Sequence, residues 1–177
     1  PTNNVLLELL HTVPDFKISL SLSGVFLEQA MQFDPDVIES FKRMVDTGKV
    51  EILSETYYHS LAFLHSKDEF REQVKHHGEL VRELFGVTPK VFRNTELIYN
   101  NELAVEVENL GYKGVVTEGA DHILGWRSPD FLYTPKGTNN IKLLLKNYKL
   151  SDDIAFRFSN QGWEEHPLSS EKFAHWI

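Results

Sequence analysis

The sequence predicts an α/β fold built on a parallel β-sheet. Apolar, strand-like segments alternate with segments of helical periodicity along much of the chain. The first four predicted strands recur at intervals of roughly 25 to 40 residues, which suits parallel strands joined by right-handed helical crossovers. Several of these strands also end in polar side chains, and α/β proteins place their active sites at the carboxyl ends of parallel strands.

Each predicted element follows from a local pattern. Alternating apolar and small polar residues predict a first strand that Gly24 ends. In the helical segment that follows, we expect Asp34 to cap a second helix that has Pro35 at its first position. Gly86 and Gly111 are typical of helix ends. The predicted strands cover residues 16–23, 50–55, 92–97, 114–119 and 141–146, with Tyr133 in a further strand; the predicted helices cover residues 25–47, 67–85 and 101–110, with a helix end near 5–10 and a short helix or loop from Ser151.

The composition argues against several classes of function. A net charge of −8 without a basic cluster argues against nucleic acid as the main partner. The chain has no cysteine, which excludes disulfides, thiolate metal sites and a cysteine nucleophile. No apolar run approaches the roughly 20 residues of a membrane span, and the amino terminus lacks the features of a secretory signal. We therefore expect a cytoplasmic protein without a membrane partner.

The segment 92–100 is the most informative part of the chain. A short apolar run ends there in four consecutive polar residues, Arg93, Asn94, Thr95 and Glu96, just before a predicted helix. At the end of a buried strand, Glu96 is placed to act as a nucleophile or as an acid/base, and Arg93 would keep it ionised. The alternative is a purely structural ion pair between the two side chains.

Further strand ends carry residues of the same kind. Ser23, Gly24, Glu55 and Glu118 follow or end three other predicted strands. In a barrel these ends face one rim. Several carboxylates that converge on one rim form a more specific signal than Glu96 alone.

A second acidic cluster lies at Asp152 and Asp153. One reading is that Ser151 or Asp152 caps a helical turn. The other is that one aspartate completes a two-carboxylate glycosidase with Glu96. Such a pair retains configuration when its carboxyl groups are about 5–5.5 Å apart and inverts it at about 6.5–9.5 Å.

Two histidines raise the alternative of a metal site. His59 and His65 follow the second strand and resemble the metal site of a carbohydrate deacetylase, in which imidazoles bind an ion that activates water. Their spacing is six residues rather than the four typical of that family, and no Asp-Asp-Gly run precedes them. We expect no metal here, and instead predict that His59 contacts a sugar hydroxyl.

Aromatic side chains in predicted loops fit a saccharide groove. Tyr57 and Trp126 belong to this group, and sugar sites use aromatic rings against the C–H faces of the substrate. The alternative, ordinary half-buried aromatic residues, stays open for each of them.

Four segments together resemble glycoside hydrolase family 57, most closely its archaeal and bacterial α-amylase-like members. They are SGVFLEQ (23–29), GKVEILSETYYHS (48–60), FRNTELIY (92–99) and YKLSDDI (148–154). The resemblance implies an incomplete (β/α)7 barrel with parallel strands and retaining cleavage of α-glucans, of the starch or glycogen type, without a cofactor. It implies that Glu96 is the nucleophile, that Asp153 (with Asp152 as second choice) is the acid/base, and that Glu51 helps shape the site.

Two motifs of that family are absent from the chain. These are a His-Gln-Pro on the opening strand and a later acidic, His-bearing segment. We therefore expect residues 1–177 to be one part of a single catalytic barrel that lacks its first strand and its carboxyl-terminal part, so the piece alone can be inactive. The alternatives are a metal-dependent polysaccharide deacetylase and a non-catalytic carbohydrate-binding relative.

Overall fold

The computed structural model describes residues 2–177 and contains five strands, each parallel to its neighbour. Strands β1 and β2 form one pair, and β3, β4 and β5 form a second sheet in that order. The predicted α/β class is confirmed, as an incomplete, barrel-like arrangement. The strands are β1 (Ile18–Ser21), β2 (Val50–Leu53), β3 (Val91–Arg93), β4 (Gly114–Glu118) and β5 (Lys142–Lys146).

Eight α-helices connect and flank the strands in the described part of the chain. They are α1 (Thr2–Thr12), α2 (Gly24–Phe33), α3 (Pro35–Val45), α4 (Lys67–Phe85), α5 (Asn101–Asn109), α6 (Asp121–Leu124), α7 (Tyr148–Asp152) and α8 (Ser170–Trp176). Short 3-10 turns cover Ala62–Leu64 and Thr95–Leu97, and a π-helical turn covers Asp153–Arg157. Within residues 2–177, no helix combines the length and the apolar character that a membrane crossing requires.

The two sheets meet at a single bridge between Ser54, directly after β2, and Phe92 in β3. The Ser54 N–H donates to the Val91 carbonyl at 2.9 Å, and the Arg93 N–H donates to the Ser54 carbonyl at 2.8 Å. We call this bridge the seam. Because the seam is also parallel, the five strands follow sequence order and their carboxyl ends lie along one edge.

Two hydrophobic cores lie on either side of the seam. The first is built around β1, β2 and helices α1 to α3, and the second around β3, β4, β5 and α5. Helix α4 contributes to both, since Val81 and Phe85 pack in the first core and Phe70 and Val74 in the second. Helix α4 therefore crosses the seam and ties the two halves together.

Helix α4 has the bounds that its sequence predicts. The Ser66 hydroxyl accepts a hydrogen bond from the Glu69 N–H at its start, and Gly86 adopts the left-handed conformation at its end, with φ of 68°. Both features satisfy backbone groups that a helix end leaves without partners. The predicted break at Asp34 and Pro35 is also present, but the Asp34 side chain makes no capping hydrogen bond.

Several segments differ from the expectation. Helices α6 and α8 were not predicted, and β1 and β2 are shorter than the predicted strands 16–23 and 50–55. The third strand ends at Arg93, and the Asn94 side chain instead bonds the Ile98 carbonyl across a tight turn. Tyr133 forms an isolated antiparallel bridge to Leu143 rather than a strand. Helix α7 begins before Ser151, because the Asn147 side chain accepts from the Leu150 N–H and supplies the cap.

Candidate active site

Glu96 stands in the turn that directly follows β3. The buried side chain of Asn94 donates to the Ile98 carbonyl at 2.9 Å and closes this turn. Within it, Glu96 has φ of 53° and Leu97 has φ of 56°. These values lie in the left-handed region that non-glycine residues rarely adopt. The turn leaves the Glu96 side chain 73% exposed at the carboxyl edge of the sheet.

The loop after β2 brings Glu55 and His59 to the same edge. Glu55 is buried, and its carboxylate accepts from the Ser21 hydroxyl at 2.6 Å. The His59 ring lies between two carboxylates, with Nδ1 3.1 Å from Glu55 Oε2 and Nε2 3.3 Å from Glu96 Oε1. Strand-end carboxylates from two neighbouring strands therefore meet, as predicted for the rim, through an imidazole.

Buried threonine hydroxyls hold the two loops against each other. Thr56 Oγ1 accepts from the Ser60 N–H at 2.9 Å, contacts the Ser60 carbonyl at 3.2 Å and lies 3.1 Å from Thr95 Oγ1. One hydroxyl can donate once and accept twice, so Thr56 is fully satisfied when Thr95 donates to it. The loop that carries His59 is thereby fixed to the turn that carries Glu96.

An open cleft of about 650 Å³ lies next to these groups. Two exposed aromatic residues stand on its wall: Tyr58, 57% exposed, and Phe26, 39% exposed. The residues that line it include Ser21, Phe26, Glu55, Tyr58, His59 and Arg93. The cleft thus combines aromatic faces with polar groups, as saccharide sites do.

The structure does not pair Arg93 with Glu96. Arg93 is half-buried and lines the cleft, but among the ion pairs of residues 2–177 none joins these two side chains. The partner of Glu96 is His59. The reason is the strand end: β3 stops at Arg93, and the turn then carries Glu96 towards the loop after β2.

Of the other residues predicted to bind substrate, none lines this cleft. Glu51 lies near the amino end of β2, four residues before Glu55, and lines a separate cavity. Four residues of strand span about 13 Å, so Glu51 is remote from the carboxyl edge. Tyr57 is 2% exposed and directs its hydroxyl to Glu28 at 2.7 Å, so that the adjacent Tyr58 faces the cleft in its place. Trp126 is 95% exposed on the loop after α6.

The two aspartates differ in their surroundings. Asp153 is the first residue of the π-helical turn, is buried, and accepts from Arg157 Nη1 at 2.5 Å. Asp152 ends α7, is half-buried and takes part in none of the ion pairs among residues 2–177. Neither Ser151 nor Asp152 supplies the predicted cap, which Asn147 provides, and the aspartate held by a side-chain contact is Asp153.

One buried residue of the site contradicts the sequence prediction, which places His77 with His76 on an exposed helix face. His77 is fully buried in α4; its Nε2 donates to the Leu22 carbonyl at 2.8 Å and its Nδ1 faces the Glu55 N–H at 3.5 Å. Burial lowers the pKa of His77, although the bond to Leu22 and the charge of Glu55 offset part of the effect. The sequence signal that could have predicted this burial is its position, since residue 77 follows Phe70 and Val74 at the spacing of one helix face.

The arrangement gives no support to a metal site. His59 uses both ring nitrogens on carboxylates, and His65 is exposed. In the part of the chain that the structure describes, no group of three or more His, Asp or Glu side chains is arranged to hold a metal ion.

Sequence comparison reveals close relatives of this chain. A Methanocaldococcus jannaschii protein named "Putative alpha-amylase" is 49% identical over 178 residues. The match covers 100% of this chain and 38% of that protein, so the chain spans less than half of the relative's length.

Solved structures share the fold. The crystal structure of 4-alpha-glucanotransferase from Thermococcus litoralis superposes with a TM-score of 0.73 at 24% identity, covering 86% of this chain and 24% of that chain. A Mycobacterium smegmatis protein named "putative polysaccharide deacetylase" gives 0.65 at 19% identity, covering 84% of this chain and 46% of that chain. At these low identities the structural similarity shows a common fold only. The family is shown by the sequence. All residues from 1 to 177 match the model of glycosyl hydrolase family 57, and the chain belongs to this family.

Proposed function

We propose that this chain carries catalytic residues of a retaining α-glucan hydrolase or 4-α-glucanotransferase that acts on starch- or glycogen-type oligosaccharides. The observation that carries the proposal is the exposed Glu96 carboxylate, held at the carboxyl edge of the sheet beside a cleft with aromatic and polar walls. Family membership and the α-amylase and glucanotransferase names of similar proteins support the substrate class.

In the proposed reaction, Glu96 is the nucleophile. One of its oxygens bonds to the anomeric carbon while the bond to the leaving sugar's oxygen breaks, and an aspartic acid gives that oxygen its proton. A water molecule or a sugar hydroxyl then attacks the same carbon and gives its proton to the aspartate. Glu96 leaves as a carboxylate, and configuration is retained after two inversions.

The acid/base is proposed to be Asp153, with Asp152 as the second choice. A general acid must reach the leaving oxygen, whereas Asp153 is buried and its Oδ1 accepts from Arg157 Nη1. Asp153 therefore has to part from Arg157 when substrate binds, or Asp152 takes the role.

We assign the substrate to the cleft beside Glu96. Arg93 offers hydrogen-bond donors to sugar hydroxyls, and the exposed ring of Tyr58 offers a face for stacking. Tyr58 replaces Tyr57 in this role because Tyr57 is buried. Trp126 is exposed outside this cleft, so it is proposed to stack only on sugar units that extend beyond it. Glu51 is proposed to act at a distance, through the packing of β2, rather than by contact with the sugar at Glu96. A cytoplasmic location remains part of the proposal.

The test is Glu96→Gln in the full-length protein, assayed on maltooligosaccharides. Loss of a nucleophile removes several orders of magnitude of rate, so we expect turnover to vanish while the melting temperature stays close to that of the wild type. Glu102→Gln is the matched control, because Glu102 is an exposed glutamate on α5, 74% exposed, and should keep full activity. A folded Glu96→Gln protein with near wild-type kcat would reject the assignment.

Product analysis separates the finer activities. Hydrolysis of maltooligosaccharides yields shorter reducing sugars only, whereas glucan transfer also yields products longer than the substrate. Release of acetate from an acetylated polysaccharide would instead favour a deacetylase. A non-catalytic binding protein would be favoured if the wild type shows no turnover and glucan binding survives the loss of Glu96, Asp152 and Asp153.

A further inference from the structure

Backbone strain is concentrated at one contact of this molecule. Among residues 2–177, the non-glycine residues with φ in the left-handed region are His59 at 52°, Glu96 at 53° and Leu97 at 56°. Such conformations persist only where the surroundings enforce them, and they cluster at functional sites. Here they lie on two different loops and meet where His59 touches Glu96.

The contact belongs to a continuous chain of hydrogen bonds. It runs from the Ser21 hydroxyl through Glu55 and His59 to Glu96. Exposure rises along it, since the side chain of Glu55 is 3% exposed, that of His59 41% and that of Glu96 73%. The imidazole, which lines the cleft, therefore links a buried, anchored carboxylate to an exposed one.

Both ring nitrogens of His59 are occupied in this bridge. Nδ1 lies 3.1 Å from Glu55 Oε2, and Nε2 lies 3.3 Å from Glu96 Oε1. Each ring nitrogen makes one hydrogen bond, so neither is left for a sugar hydroxyl. Arg93 also lines the cleft.

We infer that His59 is a positioning residue for the nucleophile: together with Glu55 it holds Glu96 Oε1, and so aims Oε2 at the anomeric carbon. The inference rests on the proposed function, because it takes Glu96 as the nucleophile. His59 acts as neither acid nor base in either step. Its partner, Glu96 Oε1, becomes a neutral ester oxygen when the glycosyl ester forms. It becomes a carboxylate oxygen again when the ester is cleaved.

The surroundings of the bridge are built for a fixed geometry. Thr56 and Thr95 join the two loops through buried hydroxyls. The backbone of Glu55 is held from behind by the buried imidazole of His77 in α4. An exposed His59 that served only to contact sugar would need neither the buried carboxylate behind it nor the connection between the loops.

The experiment is a double-mutant cycle in the full-length protein with His59→Asn, Glu55→Gln and the combined variant. Asparagine tolerates φ near 52° better than most residues, so His59→Asn should fold, yet it is too short to reach both carboxylates. A displacement of about 1 Å in a reacting group can lower the rate about 10²-fold. We expect each single variant to lose kcat by about that factor with little change in KM, and the combined variant to lose no more than either, since the two residues act as one unit.

Three results would overturn the inference. The first is a kcat and a KM at the wild-type level in His59→Asn. The second is a rise in the KM of His59→Asn with kcat unchanged, which indicates a sugar contact. The third is that the effects of the two single substitutions multiply in the combined variant. His65→Asn is the matched control, as an exposed histidine six residues further on, and should behave as the wild type. Glu96→Gln, assayed in parallel, separates the two proposals: if it is active, the proposed function itself fails, and if it is inactive while His59→Asn is fully active, only the bridge fails.

Discussion

Asp152 and Asp153 are adjacent in the chain but differ in their contacts. Asp153 is buried against Arg157, whereas Asp152 ends helix α7 and stays half-buried. The sequence shows two neighbouring carboxylates, and neighbouring residues on a turn point in different directions. It does not show which of the two forms an ion pair with Arg157. That choice depends on the π-helical turn, in which Asp153 and Arg157 fall on one side.

We predict that Asp153→Asn loses most activity towards ordinary glucans but keeps more towards substrates with an activated leaving group. Such substrates need no proton in the first step, and azide should accelerate the second step, because it attacks without a general base. Steady-state kinetics on both substrate types will measure this. If Asp152→Asn shows this pattern and Asp153→Asn only lowers the melting temperature, the roles are exchanged; if neither does, Glu118 becomes the next candidate.

Within the site, some residue positions follow from the sequence and some contacts do not. Glu96, Glu55 and the convergence of strand ends were predictable, because an apolar run that ends in polar residues marks the end of a buried strand. The pairing of Glu96 with His59 was not. It depends on left-handed φ values at both residues, and no local pattern predicts those for His or Glu.

At the scale of elements, helix α2 begins where the backbone packs tightly against an aromatic ring. A Cβ atom on Gly24, the first residue of α2, would lie 2.5 Å from the ring of Tyr57. That ring cannot withdraw easily, because it stacks on His76 at 4.0 Å and its hydroxyl bonds Glu28. Burial and the neighbouring carboxylate also raise the pKa of Tyr57.

Gly24→Ala should therefore destabilise the fold by about 1–3 kcal/mol, as overpacking does. Gly78 provides the matched control, because it lies inside α4 and its Cβ would meet nothing within 4 Å. Gly78→Ala should stabilise the protein by about 0.5–1 kcal/mol, since alanine loses less backbone freedom in a helix. Urea unfolding monitored by circular dichroism measures both, and equal effects of the two substitutions would contradict the packing argument.

Elements with complete local signals were predicted well, and elements completed by tertiary contacts were not. Helix α4 carries its own cap, apolar face and terminal glycine, and its predicted bounds are confirmed. The third strand was predicted too long. It ends at Arg93, because the Asn94 side chain donates a hydrogen bond to the Ile98 carbonyl and closes a turn. That bond joins residues on opposite sides of a turn and has no sequence signature.

For the molecule as a whole, stability should depend on pH through His77. Burial lowers its pKa in the folded state, so the folded protein keeps the ring neutral where the unfolded chain already binds a proton. The stabilisation from the neutral ring is complete above the ordinary histidine pKa of about 6.5 and declines as the pH falls below it. We expect the free energy of unfolding to fall over that range.

His77→Gln should reduce this pH dependence, because an amide can accept and donate without titrating. His77→Leu should lower stability by about 1–3 kcal/mol at neutral pH, since it leaves the buried Leu22 carbonyl and Glu55 N–H without a partner. Urea titrations at several pH values provide the measurement, with exposed His122→Gln as the control. An unchanged pH profile in His77→Gln would assign the titration to other groups.

The seam should determine the order in which activity and secondary structure are lost when denaturant is added. Glu55 and His59 belong to the half with the first core, and Glu96 belongs to the half with the second. The strand bridge, helix α4 and the hydroxyl contacts Thr56–Thr95 and Ser54–Tyr112 hold the halves in register. A slip of about an ångström between them would leave both cores packed but separate the imidazole from Glu96. Turnover should therefore disappear at a lower denaturant concentration than the far-ultraviolet circular dichroism signal. If Glu96 is the nucleophile, as proposed, activity reports the alignment of the two halves, and we expect it to be lost before the fold.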